Sequence, residues 1–260
     1  EVLFHGTDLL KLPPSEIRHI RGNKISMIFQ DPMTSLNPFL RISTQMIETI
    51  QLHQGLDKKA AKEKAIEMLK FAGIPAPEKR IDQYPHQFSG GMRQRVMIAM
   101  ALSCNPEILI ADEPTSALDV TIQAQILELI KELTRKLGTA VILITHSLGV
   151  VAGMCDTICV MYAGRIVERG RTEDIFESPK HPYTMGLIRS VPRLDQETKV
   201  RLYSIPGQPP NVIDLPDCCP FYPRCEQAMD ICREKYPSIV SFENNQSVAC
   251  WLYNKEIHNA

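Results

Sequence analysis

The stretch ILIADEP, residues 108–114, decides the fold of this chain. Ile108 to Ala111 is a short apolar run set off by Pro106 and Pro114, so it reads as a buried strand. It ends in two adjacent carboxylates, Asp112 and Glu113. In open α/β sheets, ligands bind at the carboxyl ends of strands. Side chains alternate along a strand, so two neighbouring acids can take different jobs. One can bind Mg²⁺, directly or through water. The other can position an attacking water or accept its proton. Taken alone, the stretch is equally a strand that ends in a solvated acidic turn.

Two further runs have the same design. ISMIFQ (25–30) is an apolar strand ending in Gln30, and AVILIT (140–145) is a buried strand with His146 just past its end. An amide can hydrogen-bond a metal-bound water. An isolated histidine is usually structural, but His146 sits at the same kind of strand end as Asp112 and Glu113. Helical patterns lie between the strands. Ser15 is placed to cap a short helix ahead of Arg21-Gly22. Asp57 caps a helix that Gly73 ends, with Ala61, Ala65, Met68 and Leu69 on one face. Gln123–Leu137 is helical, with Ile126, Leu127, Ile130 and Leu133 on one side and Gly138 at its end. ICVMYAGRIVERG (158–170) reads as two strands around Ala163-Gly164. Short apolar strands alternating with helices predict an α/β sheet core, and the helical stretch from about residue 34 to 104 reads as an insertion into it.

FSGGMRQR (88–95) opens a helix. Ser89, Gly90 and Gly91 offer a hydroxyl and bare backbone N–H groups at the positive end of the helix dipole, where an anion binds well. An ordinary serine cap followed by a glycine hinge is the plain alternative. Arg93 and Arg95 follow.

The 260 residues carry a net charge of −1, which gives no electrostatic footprint for nucleic acid. No apolar run approaches the roughly 20 residues of a membrane helix. The opening EVLFHGTDLL lacks a basic start and a long apolar stretch, so a cytoplasmic location is the expectation. It also begins inside a strand-like run without an initiator Met, which reads as a start partway through a larger protein.

Gln30, FSGGM, ILIADEP, SALD (116–119) and THS (145–147) occur in one order. This joint pattern resembles the nucleotide-binding subunit of ATP-binding-cassette (ABC) transporters. The resemblance implies a P-loop NTPase-type sheet core with an inserted helical subdomain. It implies that Gln30 senses Mg²⁺ and the γ-phosphate of ATP, Asp112 holds Mg²⁺, Glu113 polarises the water, and His146 contacts the γ-phosphate. Ser89, Gly90 and Gly91 would face the nucleotide held by a partner subunit, and Asp119 would communicate across the dimer. The signature departs from the family pattern in Phe88 for Leu and Met92 for Gln. QDPMTSLNP (30–38), HPYT (181–184) and the cysteine-bearing tail are similar to the dipeptide/oligopeptide branch. That branch implies a second ATPase subunit, two membrane-spanning permease subunits, a substrate-binding protein acting indirectly, and a peripheral position on the cytoplasmic face of the membrane. Nickel, glutathione or oligosaccharide import, and a soluble ABC ATPase, are the alternatives. The family also needs a P-loop, GxxxxGK[ST], whose backbone cradles phosphates. These 260 residues contain none, so the expectation is a chain that alone neither binds ATP tightly nor hydrolyses it.

The last part of the chain differs in texture. Eight of the 19 prolines and five of the eight cysteines fall after residue 191, so 1–192 and 193–260 read as separate domains, the second small and loop-rich. Cys104, Cys155 and Cys159 lie in apolar surroundings and read as small core residues. Cys219, Cys225, Cys232 and Cys250 are separated by five, six and 17 residues. Four thiolates suit zinc or an iron–sulfur cluster. Zinc sites favour tight pairs two to four residues apart, which are lacking here. The tail resembles the family's C-terminal extension, which carries a [4Fe–4S] cluster in some members. Zinc and free or disulfide-bonded cysteines are the alternatives, and Cys218 has no place in the motif.

Overall fold

A computed structural model describes residues 1–31, 35–116, 118–191 and 203–254. Part of the DPMTSLNP loop, Ala117 of SALD and the expected 192/193 boundary lie outside the described residues. The chain forms two compact units, Glu1–His146 and Ser147–Ala260.

The first unit opens with a hairpin of β1 (Leu3–Phe4) and β2 (Thr7–Asp8). His5 and Gly6 turn it with φ of 48° and 78°, the left-handed pair that two-residue hairpins require. Helix α1 (Pro14–Ile20) follows. It starts on Pro13-Pro14 rather than on a Ser15 cap, because proline presets the first helical φ and has no N–H to satisfy. Strands β3 (Ile25–Ile28), β4 (Ile108–Asp112) and β5 (Ala140–Ile144) form a parallel sheet in the order β3-β4-β5. Ile28 pairs with Ala111 and Asp112 with Ile144, so all three strands reach their carboxyl ends at one edge of the sheet.

Between β3 and β4 the chain is helical, as the periodicity predicts. Helix α2 (Ile42–Gln54) buries Ile42, Met46 and Ile50 at four-residue spacing. Helix α3 (Lys58–Phe71) buries Ala61, Ala65, Met68 and Leu69, and its two alanines leave room for a neighbour to approach. The Asp57 carboxylate accepts from Ala60 N–H at 2.8 Å, and Gly73 at φ 73° ends the run. A short helix α4 (Pro77–Arg80) leads to α5 (Gly90–Leu102), where Val96, Ile98, Ala99 and Leu102 are fully buried. Helix α6 (Val120–Leu137) joins β4 to β5 and ends on Gly138 at φ 69°. One expectation fails at β5. A continuous apolar run suggests burial on both faces, but Ile142 and Ile144 are 52% and 47% exposed.

The second unit is built on an antiparallel sheet. After α7 (Leu148–Met154), β6 (Thr157–Tyr162) and β7 (Arg165–Arg171) form the expected hairpin, turned by Ala163 at φ 48° and Gly164 at φ 77°. Helices α8 (Thr172–Glu177), α9 (Pro182–Arg189) and α10 (Ile231–Glu234) follow, then β8 (Ile239–Ser241) and β9 (Ser247–Ala249). The strand order is β6-β7-β9-β8, so strands of the cysteine-bearing tail extend the β6–β7 hairpin. The division between the two compact units falls after His146. The tail strands are three residues each and too short to show a period. Cys159, expected in the core, lies on the exposed side of β6, while its neighbours Ile158 and Val160 face inward with Tyr162, Val167, Ile175 and Phe221.

The buried Glu168 carboxylate of β7 ties this unit together. It accepts from the backbone N–H groups of Lys180 (2.7 Å) and His181 (2.9 Å) and from Gln246 Nε2 (2.8 Å). His181 caps α9 through Nδ1, which accepts from Tyr183 N–H at 3.0 Å. Burial lowers the His181 pKa from 6.5 to about 4. The unfolded chain takes up a proton here near pH 6.5 that the folded chain refuses until about pH 4. Acid therefore removes stability across that window, on the order of 3 kcal/mol in all, and this group contributes no slope above it. His181→Asn keeps a capping side chain but does not titrate. Thermal unfolding at both ends of the window checks this: the fall in melting temperature is expected to be smaller in the variant, and equal slopes contradict it.

Candidate functional site

Glu113 is the centre of the site. It follows β4 directly, and its N–H donates to the Ile144 carbonyl at 2.9 Å, the last bond of the β4–β5 ladder. Its φ of 43° is in the left-handed region, unusual for glutamate and sustained only where the surroundings enforce it. That conformation turns the side chain across the strand ends. Gln30, two residues past β3, donates from Nε2 to Oε2 at 3.0 Å. His146, two residues past β5, meets Oε1 through Nδ1 at 3.0 Å. The three residues expected at strand ends thus converge on one carboxylate.

Ser116 completes the group, and sequence reasoning missed it. Its hydroxyl lies 2.7 Å from Glu113 Oε2 and 3.0 Å from the Glu113 carbonyl. The available signal was a serine three residues after the acid, a spacing at which hydroxyls close turns. Hydrogen bonds from Ser116 and then His146, with the nearby imidazole and Gln30, hold the Glu113 carboxyl below its ordinary value. The carboxylate is ionised at neutral pH and can only accept, so His146 Nδ1 carries the hydrogen between them. The His146 side chain remains 75% exposed. The arrangement can take a proton from a water and steer that water with an amide and an imidazole.

Asp112 is the last residue of β4, beside this group. Asp119 caps α6, its carboxylate accepting from Ile122 N–H at 3.0 Å. Ser89 caps α5 through Met92 N–H at 3.4 Å, with buried Phe88 anchoring the turn before it. Among the described residues, none of Ser89, Gly90 and Gly91 hydrogen-bonds to Gln30, Glu113 or His146, so the helix start and the carboxylate are separate stations. The two arginines after the glycines are engaged with the protein. Arg93 Nε donates to the Pro85 carbonyl at 2.8 Å, and Arg95 donates to the Ala72 carbonyl at 3.0 Å and Gln125 Oε1 at 3.2 Å.

Among the described residues, no three of His, Cys, Asp and Glu are grouped so as to hold a metal ion. The four expected cysteines nevertheless act on one another. Burial pushes Cys219 up to about 11 and Cys250 up to about 12, and it raises Cys225. The neighbouring thiols add to these shifts, and Cys250 is affected by Cys219, Cys225 and Cys232 together. Backbone N–H groups meet three of the sulfurs: Phe221 and Tyr222 at Cys219, Gln227 at Cys225, and Leu252 at Cys250. Cys219 N–H also donates to the Cys232 carbonyl at 3.0 Å.

Comparison with known proteins shows the family of the chain. Residues 1–116 match the ABC transporter family, and residues 167–232 match the oligopeptide/dipeptide transporter C-terminal region. The chain is 54% identical over 250 residues to the oligopeptide transport ATP-binding protein OppD of Haemophilus influenzae, covering 96% of this chain and 77% of that protein. It is 53% identical over 259 residues to the dipeptide transport ATP-binding protein DppD of Bacillus subtilis, covering 100% of this chain and 77% of that protein. Among solved structures, a dimeric post-hydrolysis ATP-binding cassette bound to ADP and Pi aligns with a TM-score of 0.57 at 30% identity, over 65% of this chain and 72% of that one. The chain belongs to the ATP-binding subunits of ABC transporters, in the oligopeptide/dipeptide branch.

Proposed function

We propose that this chain carries the water-activating part of an ATP-hydrolysing site that drives import of di- or oligopeptides. The convergence of Gln30 and His146 on the Glu113 carboxylate, at the ends of three adjacent parallel strands, carries the reading. Glu113 orients the attacking water and accepts its proton. His146 faces the γ-phosphate. Asp112 and the Gln30 amide oxygen are hard oxygen donors of the kind that suit Mg²⁺, and they would hold it beside the carboxylate. Bound Mg²⁺ supplies charge neutralisation for the phosphates. Ser89, Gly90 and Gly91 serve the nucleotide of a partner ATPase subunit, and Asp119 faces that partner.

The same reading makes the 260-residue chain ATPase-deficient by itself. It contains no GxxxxGK[ST], and Arg93 and Arg95 are bonded to carbonyls and an amide. A complete cassette joins these residues to a P-loop.

Cys219, Cys225, Cys232 and Cys250 are proposed to hold a [4Fe–4S] cluster. The reading is supported by the wide spacing of the four cysteines, which lacks the tight pairs zinc favours, and by Cys250 responding to Cys219, Cys225 and Cys232 together. Burial without a counter-charge opposes their ionisation, and backbone N–H groups are already aimed at three sulfurs. A bound cluster would supply a cationic core that staples a segment poor in apolar residues.

Among the described residues, no helix is long and apolar enough to cross a membrane. Attachment at the cytoplasmic face would come through two permease subunits, with a substrate-binding protein delivering the peptide. Liposomes reconstituted with those permeases, the partner ATPase and a complete cassette test the reading. ATP turnover is expected to rise when peptide and its binding protein are added. Turnover indifferent to peptide overturns it.

A further inference from the structure

We propose that Gln94 is a positioning residue for Glu113, linking the anion-facing start of α5 to the water-activating carboxylate. The inference rests on Glu113 having that role. Gln94 is the one polar residue among those that α5 buries, and it is 1% exposed. Its Nε2 donates to the carbonyl of Pro114, the residue after Glu113, at 2.5 Å. Glu113 holds a left-handed φ that its surroundings must enforce. Its N–H bonds the Ile144 carbonyl, and Ser116 bonds its carbonyl, but both contacts come from the sheet edge and the turn itself. Gln94 adds a restraint from a different element.

That element is the one with Ser89, Gly90 and Gly91 at its start. Gly90 and Gln94 are four residues apart, about one helical turn. Downstream, the same turn runs into α6, and α5 grips it there as well. A Cβ on Gly91 would lie 3.2 Å from Ile122 Cγ2, so only glycine permits this approach without displacement. Gln123 Nε2 donates to Thr115 Oγ1 at 3.0 Å, and Arg95 reaches Gln125. The segment bearing Glu113 is therefore held to α5 directly through Gln94 and indirectly through α6, and a shift of the helix start moves the Pro114 peptide with it.

Gln94→Leu keeps the volume and removes the donor. Gln94→Glu places an acceptor against the Pro114 carbonyl when ionised and restores a donor when protonated. Hydrogen exchange on the chain reads the amides of 115–119 against those of α2 and α3. In Gln94→Leu, exchange at 115–119 is expected to quicken at least about tenfold, with α2 and α3 unchanged. In Gln94→Glu, after correction for intrinsic rates, protection is expected to return as pH is lowered. In a complete cassette, Gln94→Leu is expected to lower kcat about tenfold with KM for ATP within about twofold, because orientation rather than binding is lost. Unchanged exchange at 115–119 in both variants overturns the proposal, as does a change spread evenly over the unit. A Glu113→Gln variant that still turns over ATP normally would instead undercut the role of Glu113, and the exchange result separates the two failures.

Discussion

Glu113→Gln is expected to lower kcat for ATP hydrolysis by about 100- to 10,000-fold in a complete cassette, with KM for ATP little changed. The substitution is nearly isosteric. It leaves a side chain that can meet Gln30, Ser116 and His146, all placed by the strand ends and the turn. It removes the group proposed to take the proton. The Glu113 carboxyl is held below its ordinary value chiefly by Ser116 and His146, so it is ionised at neutral pH. A glutamine there has no basic lone pair to offer a water. Steady-state kinetics of the variant, beside Gln30→Ala and His146→Ala, check the assignment. A rate within a few-fold of the parent at position 113 rejects it.

The second large effect concerns the tail. With the cluster present, about four iron atoms per chain are expected in anaerobically purified protein. Replacing Cys219, Cys225, Cys232 or Cys250 with Ser is expected to remove most of that iron and to lower the melting temperature of the unit that carries them. Cys159→Ser and Cys218→Ser are expected to leave both unchanged, since Cys159 lies on the exposed side of β6 and Cys218 is outside the proposed set. The contrast separates a specific ligand set from general thiol chemistry. Iron analysis and visible absorbance across the series check it. Stoichiometric zinc in colourless protein, or iron lost equally in all the variants, contradicts it.

Much of this site is legible in the sequence, for a simple physical reason. Gln30, Glu113 and His146 each stand just past a compact apolar run, and parallel strands in one sheet end at one edge, so three separated stretches predict one location. The hairpin at Ala163-Gly164 and the caps at Asp57 and Gly138 are equally local and came through intact. What stayed hidden depends on contacts across the chain. Gln94 looks like a stray polar residue until the Pro114 carbonyl is found opposite it. Ser116 looks like loop until the left-handed φ of Glu113 brings the carboxylate back over it. Arg93 and Arg95 suggest an anion site by proximity, but carbonyls at Pro85 and Ala72 claim them. Strands β8 and β9 are too short to carry a pattern, and pairing of β9 with β7 and of β8 with β9 organises them. The apolar run of β5 reads as buried on both sides, whereas alternate residues are open.

The central proposal is that these residues hold the water-activating group of an ABC cassette and need a P-loop to use it. ATP turnover by the 29.4 kDa chain, its mass verified, tests this most directly, measured alone and again after joining to a P-loop segment. No turnover above buffer is expected alone, with activity appearing in the joined protein and disappearing again with Glu113→Gln. Hydrolysis by the verified chain alone, free of contaminating ATPase, would contradict the account.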